Sequence, residues 1–141
     1  MVPTEEEPVR VLSTEECWTL LADGRFGRLA YWLVDELHLV PVNYVATDDR
    51  TLLFRTAAGN KLLAAALDAE VAFETDWHDD GAAWSVEVRG RLRRMEEDEA
   101  HRADAFGLES WVPTRKDEVV ELCPASVAGR RFFLVRPGAD R

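Results

Sequence analysis

The run Phe26-Gly27-Arg28-Leu29-Ala30-Tyr31-Trp32-Leu33, the break Asp35-Glu36, and the run Leu37-His38-Leu39-Val40-Pro41-Val42-Asn43-Tyr44-Val45 together decide the fold. Aromatic and branched side chains on both sides of a short acidic break predict a β-hairpin. Working outward, Thr51 to Arg55 predicts a third strand after the turn residues Thr47-Asp48-Asp49-Arg50, and Val71 to Trp77 a fourth. From Trp84 to about Met95 the alternation is regular: Trp84, Val86, Val88, Gly90 and Leu92 share one face, and Ser85, Glu87, Arg89, Arg91 and Arg93 the other. Glu118 to Cys123 and Arg130 to Val135 predict two closing strands.

Helices are brief in this pattern. Ser13-Thr14-Glu15-Glu16 has capping-box spacing and starts a helix to about Ala22, with Trp18, Leu21 and Ala22 on one side and Asp23-Gly24 as the stop. Asn60 to Leu67, dense in Leu and Ala, predicts a second helix. Glu96-Glu97-Asp98-Glu99 loads a third helix start with carboxylates, and Gly107 ends it. Short antiparallel strands with brief helices between them point to a mainly β fold, a β-barrel rather than a parallel sheet.

The 141 residues fit one domain, and 47% hydrophobic with 31% charged residues supply both a core and a wet surface. The expected organisation is a flexible arm over 1–12, a barrel domain over 13–136 and a tail over 137–141. A formal charge of −10 repels phosphate backbones and anionic membrane surfaces, so nucleic acid and membrane are not expected partners. Asp35 and Glu36 interrupt the longest apolar stretch, and the acidic amino terminus does not read as a secretory signal, so a cytoplasmic location is expected. Cys17 and Cys123 read as buried free thiols.

Chemistry is most legible in Phe54-Arg55-Thr56-Ala57-Ala58-Gly59-Asn60-Lys61, where a strand hands over to a helix with two cations, a hydroxyl and a glycine turn. Backbone N–H groups at a helix start, aided by Arg55 and Lys61, suit a phosphate. The same residues also suit a turn whose cations are simply solvated. Pro41 inside a strand marks an edge or a bulge, next to Val42, Asn43 and Tyr44. Asn43 carries the donor and acceptor that the edge of a planar heterocycle needs, and it equally suits the exposed end of a proline-blunted edge. Trp84 and Ser85 offer a wall and a hydroxyl, although a core tryptophan beside a solvated serine is the simpler account. Asp76-Trp77-His78-Asp79-Asp80 has one histidine among loop carboxylates and reads as a solvated turn rather than a metal site.

In order along the chain stand Gly27-Arg28-Leu29-Ala30, then Pro41-Val42-Asn43-Tyr44-Val45, then Phe54-Arg55-Thr56 with Gly59 and Lys61. Trp84-Ser85-Val86 with Val88-Arg89-Gly90, and Gly129-Arg130-Arg131-Phe132, complete the series. This order resembles the pyridoxamine 5′-phosphate oxidase-like, flavin-nucleotide-binding family, in its small bacterial branch, over roughly residues 13 to 135. The resemblance implies a split β-barrel that dimerises and holds FMN in two equivalent grooves between subunits. It places Val42, Asn43 and Tyr44 against the isoalloxazine, Arg55, Thr56 and Lys61 on the phosphate, and Trp84 with Ser85 along the groove. Asn60 stands where relatives often have Ser or Thr, and the loop at Trp111 is a further expected cover of the groove.

The family resembled spans several activities, and the first expectation is an FMN-dependent oxidoreductase of an unidentified small molecule, with no catalytic side chain assigned. The carboxyl-terminal part lacks the basic motif expected of the full vitamin oxidases. Two other readings use the same groove: a non-catalytic flavin-binding or sensing module, and a binder of a deazaflavin cofactor or haem, for which His38 is a candidate ligand.

Overall fold

Alternation of inward and outward side chains curls these strands into a closed wall. In the computed structural model the elements run β1 (Val9–Val11), α1 (Thr14–Asp23), β2 (Phe26–Leu33), β3 (Glu36–Ala46), β4 (Leu52–Ala57), β5 (Glu70–His78), β6 (Ala82–Arg94) and β7 (Asp117–Phe133). The structure describes residues 2–57, 68–96, 98–99, 101, 103, 106–108 and 117–135. Their strands form one sheet in the order β1-β7-β4-β3-β2-β5-β6, and β6 pairs back onto β7 to close it. Every pairing is antiparallel. No helix among the described residues is long and apolar enough to cross a membrane.

Strand β7 closes the barrel because it is long enough to serve several partners. One of its edges pairs with β4 from Asp117 to Leu122 and then with β1 from Arg130 to Phe132. The other pairs with β6 from Val120 to Phe133. The two closing strands expected from the sequence are therefore one. Pro124 does not end the strand because it sits at a register shift opposite Arg89 and Gly90, a bulge where a missing N–H is tolerated. Gly90 is required there: a Cβ would run into the Cys123 carbonyl group.

The barrel interior is filled by Leu29, Tyr31, Tyr44, Phe54, Phe73, Val86, Val88, Leu92 and Leu122, and α1 plugs one end with Cys17, Trp18 and Leu21. Each such aliphatic or aromatic side chain contributes roughly 1.5–3 kcal/mol on burial. The capping box at Ser13 is formed in both directions, the Glu16 amide donating to Ser13 Oγ at 3.1 Å and the Ser13 amide to Glu16 Oε1 at 3.0 Å. Cys17, rather than the expected Ala22, belongs to the buried side. The segment over 1–12 is not loose throughout: β1 adds to β7, and Leu12 enters the core while its amide donates to the Gly129 carbonyl at 2.9 Å.

A second apolar cluster, with Val45, Leu53, Met95, Ala103, Leu108 and Val119, lies on the outer face of β3, β4 and β7. Backbone at 98–99, 101 and 103 is helical, and Gly107 ends that turn with φ 80°. The expected helix over Asn60 to Leu67 lies outside the described residues. Cys123 is exposed, against the expectation of a core thiol, because it alternates with inward-facing Leu122 on β7; Cys17 is buried as expected.

Candidate functional site

The wall splits between β3 and β4. Their ladder runs from Ala46↔Leu52 to Tyr44↔Phe54 and stops, while β4 continues along β7 as far as Ala57. On the other side, β3 stays paired with β2 from Glu36 to Asn43. Exposed Pro41 stands on this stretch of β3, which among the described residues pairs on one side only, the edge position that an intrastrand proline implies.

Strand parity sorts the expected site residues. Tyr44 and Phe54 face inward and are 1% and 2% exposed. The Tyr44 hydroxyl donates to the Leu21 carbonyl at 2.8 Å, and its ring meets Phe73 edge-on at 4.8 Å. Burial pushes the Tyr44 phenol up to about 12. Val42 also packs on the core. The side chains of Val42 and Tyr44 therefore turn toward the core, Tyr44 fully and Val42 in part. Asn43 and Arg55, being odd-numbered neighbours of Tyr44 and Phe54, take the outward face and are half-buried. The Arg55 side chain is oriented by its Nε, which donates to the Leu108 carbonyl at 3.1 Å.

Thr56 lies in β4 beside Glu118 of β7. Gly59, Asn60, Lys61 and Trp111 lie outside the described residues, so of the residues expected at a phosphate the structure describes Arg55 and the backbone of Thr56. Ser85 faces outward in register with Asp76 on one side and Arg130 on the other. Asn43 is the register partner of Phe26 on β2. Asn43, on β3, and Ser85, on β6, are three strand steps apart, roughly 14 Å.

Beside this row, at the barrel end under α1, lies a cavity of about 510 Å³. Phe26, Trp77, Trp84 and Leu20 give it apolar walls, while Arg25, Arg131, Asp23 and Asp76 bring both charges to it. Trp84 packs on the core with one part and lines this cavity with another. The sequence reading gave no site role to Trp77, Arg25 or Arg131. The parity of Trp77, two residues after the buried Thr75, was the available signal.

On the outer face beyond, Arg28 bridges Glu74 at 2.9 Å and Asp76 at 3.6 Å. Burial, then the adjacent Asp76, raises the Glu74 carboxyl to about 7, against the pull of Arg28. The loop after β5 is a turn as expected, with Asp79 Oδ1 accepting from the amides of Gly81 and Ala82, each at 2.8 Å.

A split in the wall with an outward amide and an oriented guanidinium, next to an aromatic cavity, suits a flat heterocycle carrying an anionic arm. Comparison with known proteins agrees in class. A solved FAD-binding protein from Mycobacterium smegmatis is 39% identical, with 88% of this chain and 98% of that one aligned and a TM-score of 0.75. A solved FAD-binding protein from Mesorhizobium loti is 26% identical, over 87% of this chain and 97% of that one, with a TM-score of 0.72. An uncharacterized curated protein of Mycobacterium tuberculosis is 40% identical over 84 residues, 59% of this chain and 76% of its own length. The family described as pyridoxamine 5′-phosphate oxidase matches residues 13–131. On that match and this barrel, the chain belongs to the pyridoxamine 5′-phosphate oxidase-like, flavin-binding family.

Proposed function

We propose that this protein binds FMN at the β3–β4 split and acts as a flavin-dependent oxidoreductase of a small molecule, working as a homodimer. The observation that carries the reading is Arg55: a half-buried cation on the outward face, oriented by the Leu108 carbonyl, at the strand end that leads into Gly59, Asn60 and Lys61. A guanidinium so placed gives charge-assisted hydrogen bonds to a phosphate. Asn43 offers donor and acceptor to the edge of the ring system, and Trp77 and Trp84 give an apolar wall that keeps water from it. A bound flavin supplies the hydride and electron transfer, and the protein's share is orientation and electrostatics.

Self-association is supported by the outer face of the β2–β3 hairpin. Trp32 and Leu37 are register partners, 59% and 58% exposed, and Leu39 is 69% exposed. A contiguous apolar strip of this kind on a chain of net charge −10 suits a second copy meeting it. His38, the residue a haem reading would use, faces Tyr31 instead, with ring centroids 5.3 Å apart and planes 14° apart. It lies about 16 Å along β3 from Asn43.

The test is the visible spectrum of the purified protein, identification of any released chromophore, and titration with FMN, FAD, a deazaflavin and haem. A flavin spectrum with FMN as the tightest ligand is expected, together with NADH or NADPH oxidation well above that of free FMN. Preference for FAD would overturn the choice of FMN. A Soret band, or no binding of any flavin, would overturn the flavin reading, and flavin binding without turnover would leave a carrier or sensor.

A further inference from the structure

We propose that Glu99 and Arg93 are positioning residues for the phosphate anchor: they fix the helix that ends at Gly107, so that the carbonyl of Leu108 holds the guanidinium of Arg55 in one plane. The inference rests on the reading of Arg55 as a phosphate ligand and adds to it the machinery that aims it.

The machinery begins where β6 ends. Arg93 faces outward in register with Glu121 on β7, and its Nη2 donates to Glu121 Oε1 at 2.7 Å. Glu121 is buried, and its other oxygen accepts from Thr51 Oγ1 at 2.7 Å, so this end of Arg93 is fixed to the barrel wall. The same guanidinium takes Glu99 in a fork, Nη1 to Oε1 and Nη2 to Oε2, both at 3.1 Å. Glu99 Oε1 also accepts from the Glu96 amide at 3.3 Å, and the Glu99 amide donates to the Glu96 carbonyl at 2.9 Å. One carboxylate thus closes the first turn of the helical segment and ties it to the wall.

The other end of the segment is set by Gly107. The Leu108 amide reaches back to the Ala103 carbonyl at 2.9 Å, with Gly107 in the left-handed region at φ 80° between them. That is the long hydrogen bond of a Schellman stop, and its usual apolar contact is present, since Ala103 and Leu108 share the outer cluster with Val119. Val119 is in turn the register partner of Arg55. Leu108, whose carbonyl meets Arg55 Nε, is thus held by its own amide to Ala103 and by its side chain to Val119, beside Arg55. A guanidinium is planar, so engaging Nε determines the plane in which its remaining N–H groups lie. Movement of the helix stop would rotate that plane.

The test compares FMN with riboflavin, which differ by the phosphate alone, by titrating the full chain and taking the ratio of the two dissociation constants. Arg55→Ala is expected to reduce the phosphate advantage by about tenfold or more. Glu99→Gln keeps an oxygen for the Glu96 amide while removing the charged fork, and is expected to reduce the advantage about threefold with riboflavin affinity unchanged. Gly107→Ala, strained at its φ, is the independent second variant and is expected to act in the same direction. In an Arg55→Ala background neither change should lower the ratio further.

An unchanged ratio in both Glu99→Gln and Gly107→Ala, with Arg55→Ala still effective, would overturn the positioning role and leave the phosphate reading standing. Equal weakening of riboflavin and FMN in these variants would mark a purely structural effect and also overturn it. No effect of Arg55→Ala on the ratio would remove the phosphate reading itself, and the positioning role with it.

Discussion

The hydroxyl of Tyr44, on the inner face of β3, donates to the carbonyl of Leu21 in the last turn of α1 at 2.8 Å. The bond joins the plug of the barrel to the strand that forms one side of the split. Tyr44→Phe is expected to cost about 1 kcal/mol in urea unfolding, more if the Leu21 carbonyl finds no water. The phenol, raised by burial to about 12, ionises near 10 in the unfolded chain. The native state therefore holds its proton longer, the contribution is complete below pH 10, and stability falls as pH rises from 10 through 12. Tyr44→Phe should flatten that alkaline limb; a limb of equal slope in the variant would show that Tyr44 is not its source.

Glu74 gives a second, milder pH dependence. Its folded value of about 7 lies above the ordinary carboxylate range, so its neutral form favours the folded state below about 4.5 and that advantage disappears as pH climbs through 7. At 37% side-chain exposure water screens the effect, and a loss below about 1 kcal/mol between pH 5 and 7.5 is expected. Glu74→Gln should remove this slope in melts recorded across the range.

The two cysteines should separate cleanly by reagent access. Cys123 is exposed and Cys17 buried, so a thiol-selective chromogenic reagent should label Cys123 in the native protein and both after denaturation. Burial raises both thiols, with Glu121 adding to the shift at Cys123, so native labelling should remain slow near neutral pH and quicken toward alkaline pH. Protection of Cys123 would place an unrecognised cover over β7.

At the bulge, Gly90→Ala would press a methyl group against the backbone of Cys123 and Pro124. Backbone gives way less readily than a side chain tip, so a loss of about 2 kcal/mol or more is expected in chemical unfolding. A near-neutral result would mean that the β6–β7 register can slide at this point.

Local chemistry was readable where it acts on neighbours in sequence. Ser13 with Glu16, the alternation of β6 and the stop at Gly107 each rest on contacts or torsions within a few residues. Pro41 likewise announced its edge. The break expected at Asp35-Glu36 falls one residue earlier, at Val34-Asp35, with Val34 at φ 57° and Glu36 already in β3. Parity relative to the core was harder: Asn43 and Tyr44 stand in one motif and Phe54 and Arg55 in another, yet the ladder pair Tyr44↔Phe54 turns inward and leaves Asn43 and Arg55 outside. The division of β7 into two strands does not hold because Pro124 is taken up in a bulge, which depends on the partner strand, and the partner is Gly90, far away in sequence. Leu108 on Arg55 is separated by 53 positions and uses a backbone carbonyl, which no residue type announces.

The length of β7 also has a kinetic meaning. The strand holds β1, β4 and β6 at once, and its partners Val9, Leu52 and Ala82 come from far upstream. Closure therefore waits on long-range encounters, which makes for slow folding and a high contact order. Until β7 docks, β4 and β6 present bare strand edges, templates for pairing with another chain. The step that completes the barrel is thus also the step that ends its exposure to aggregation.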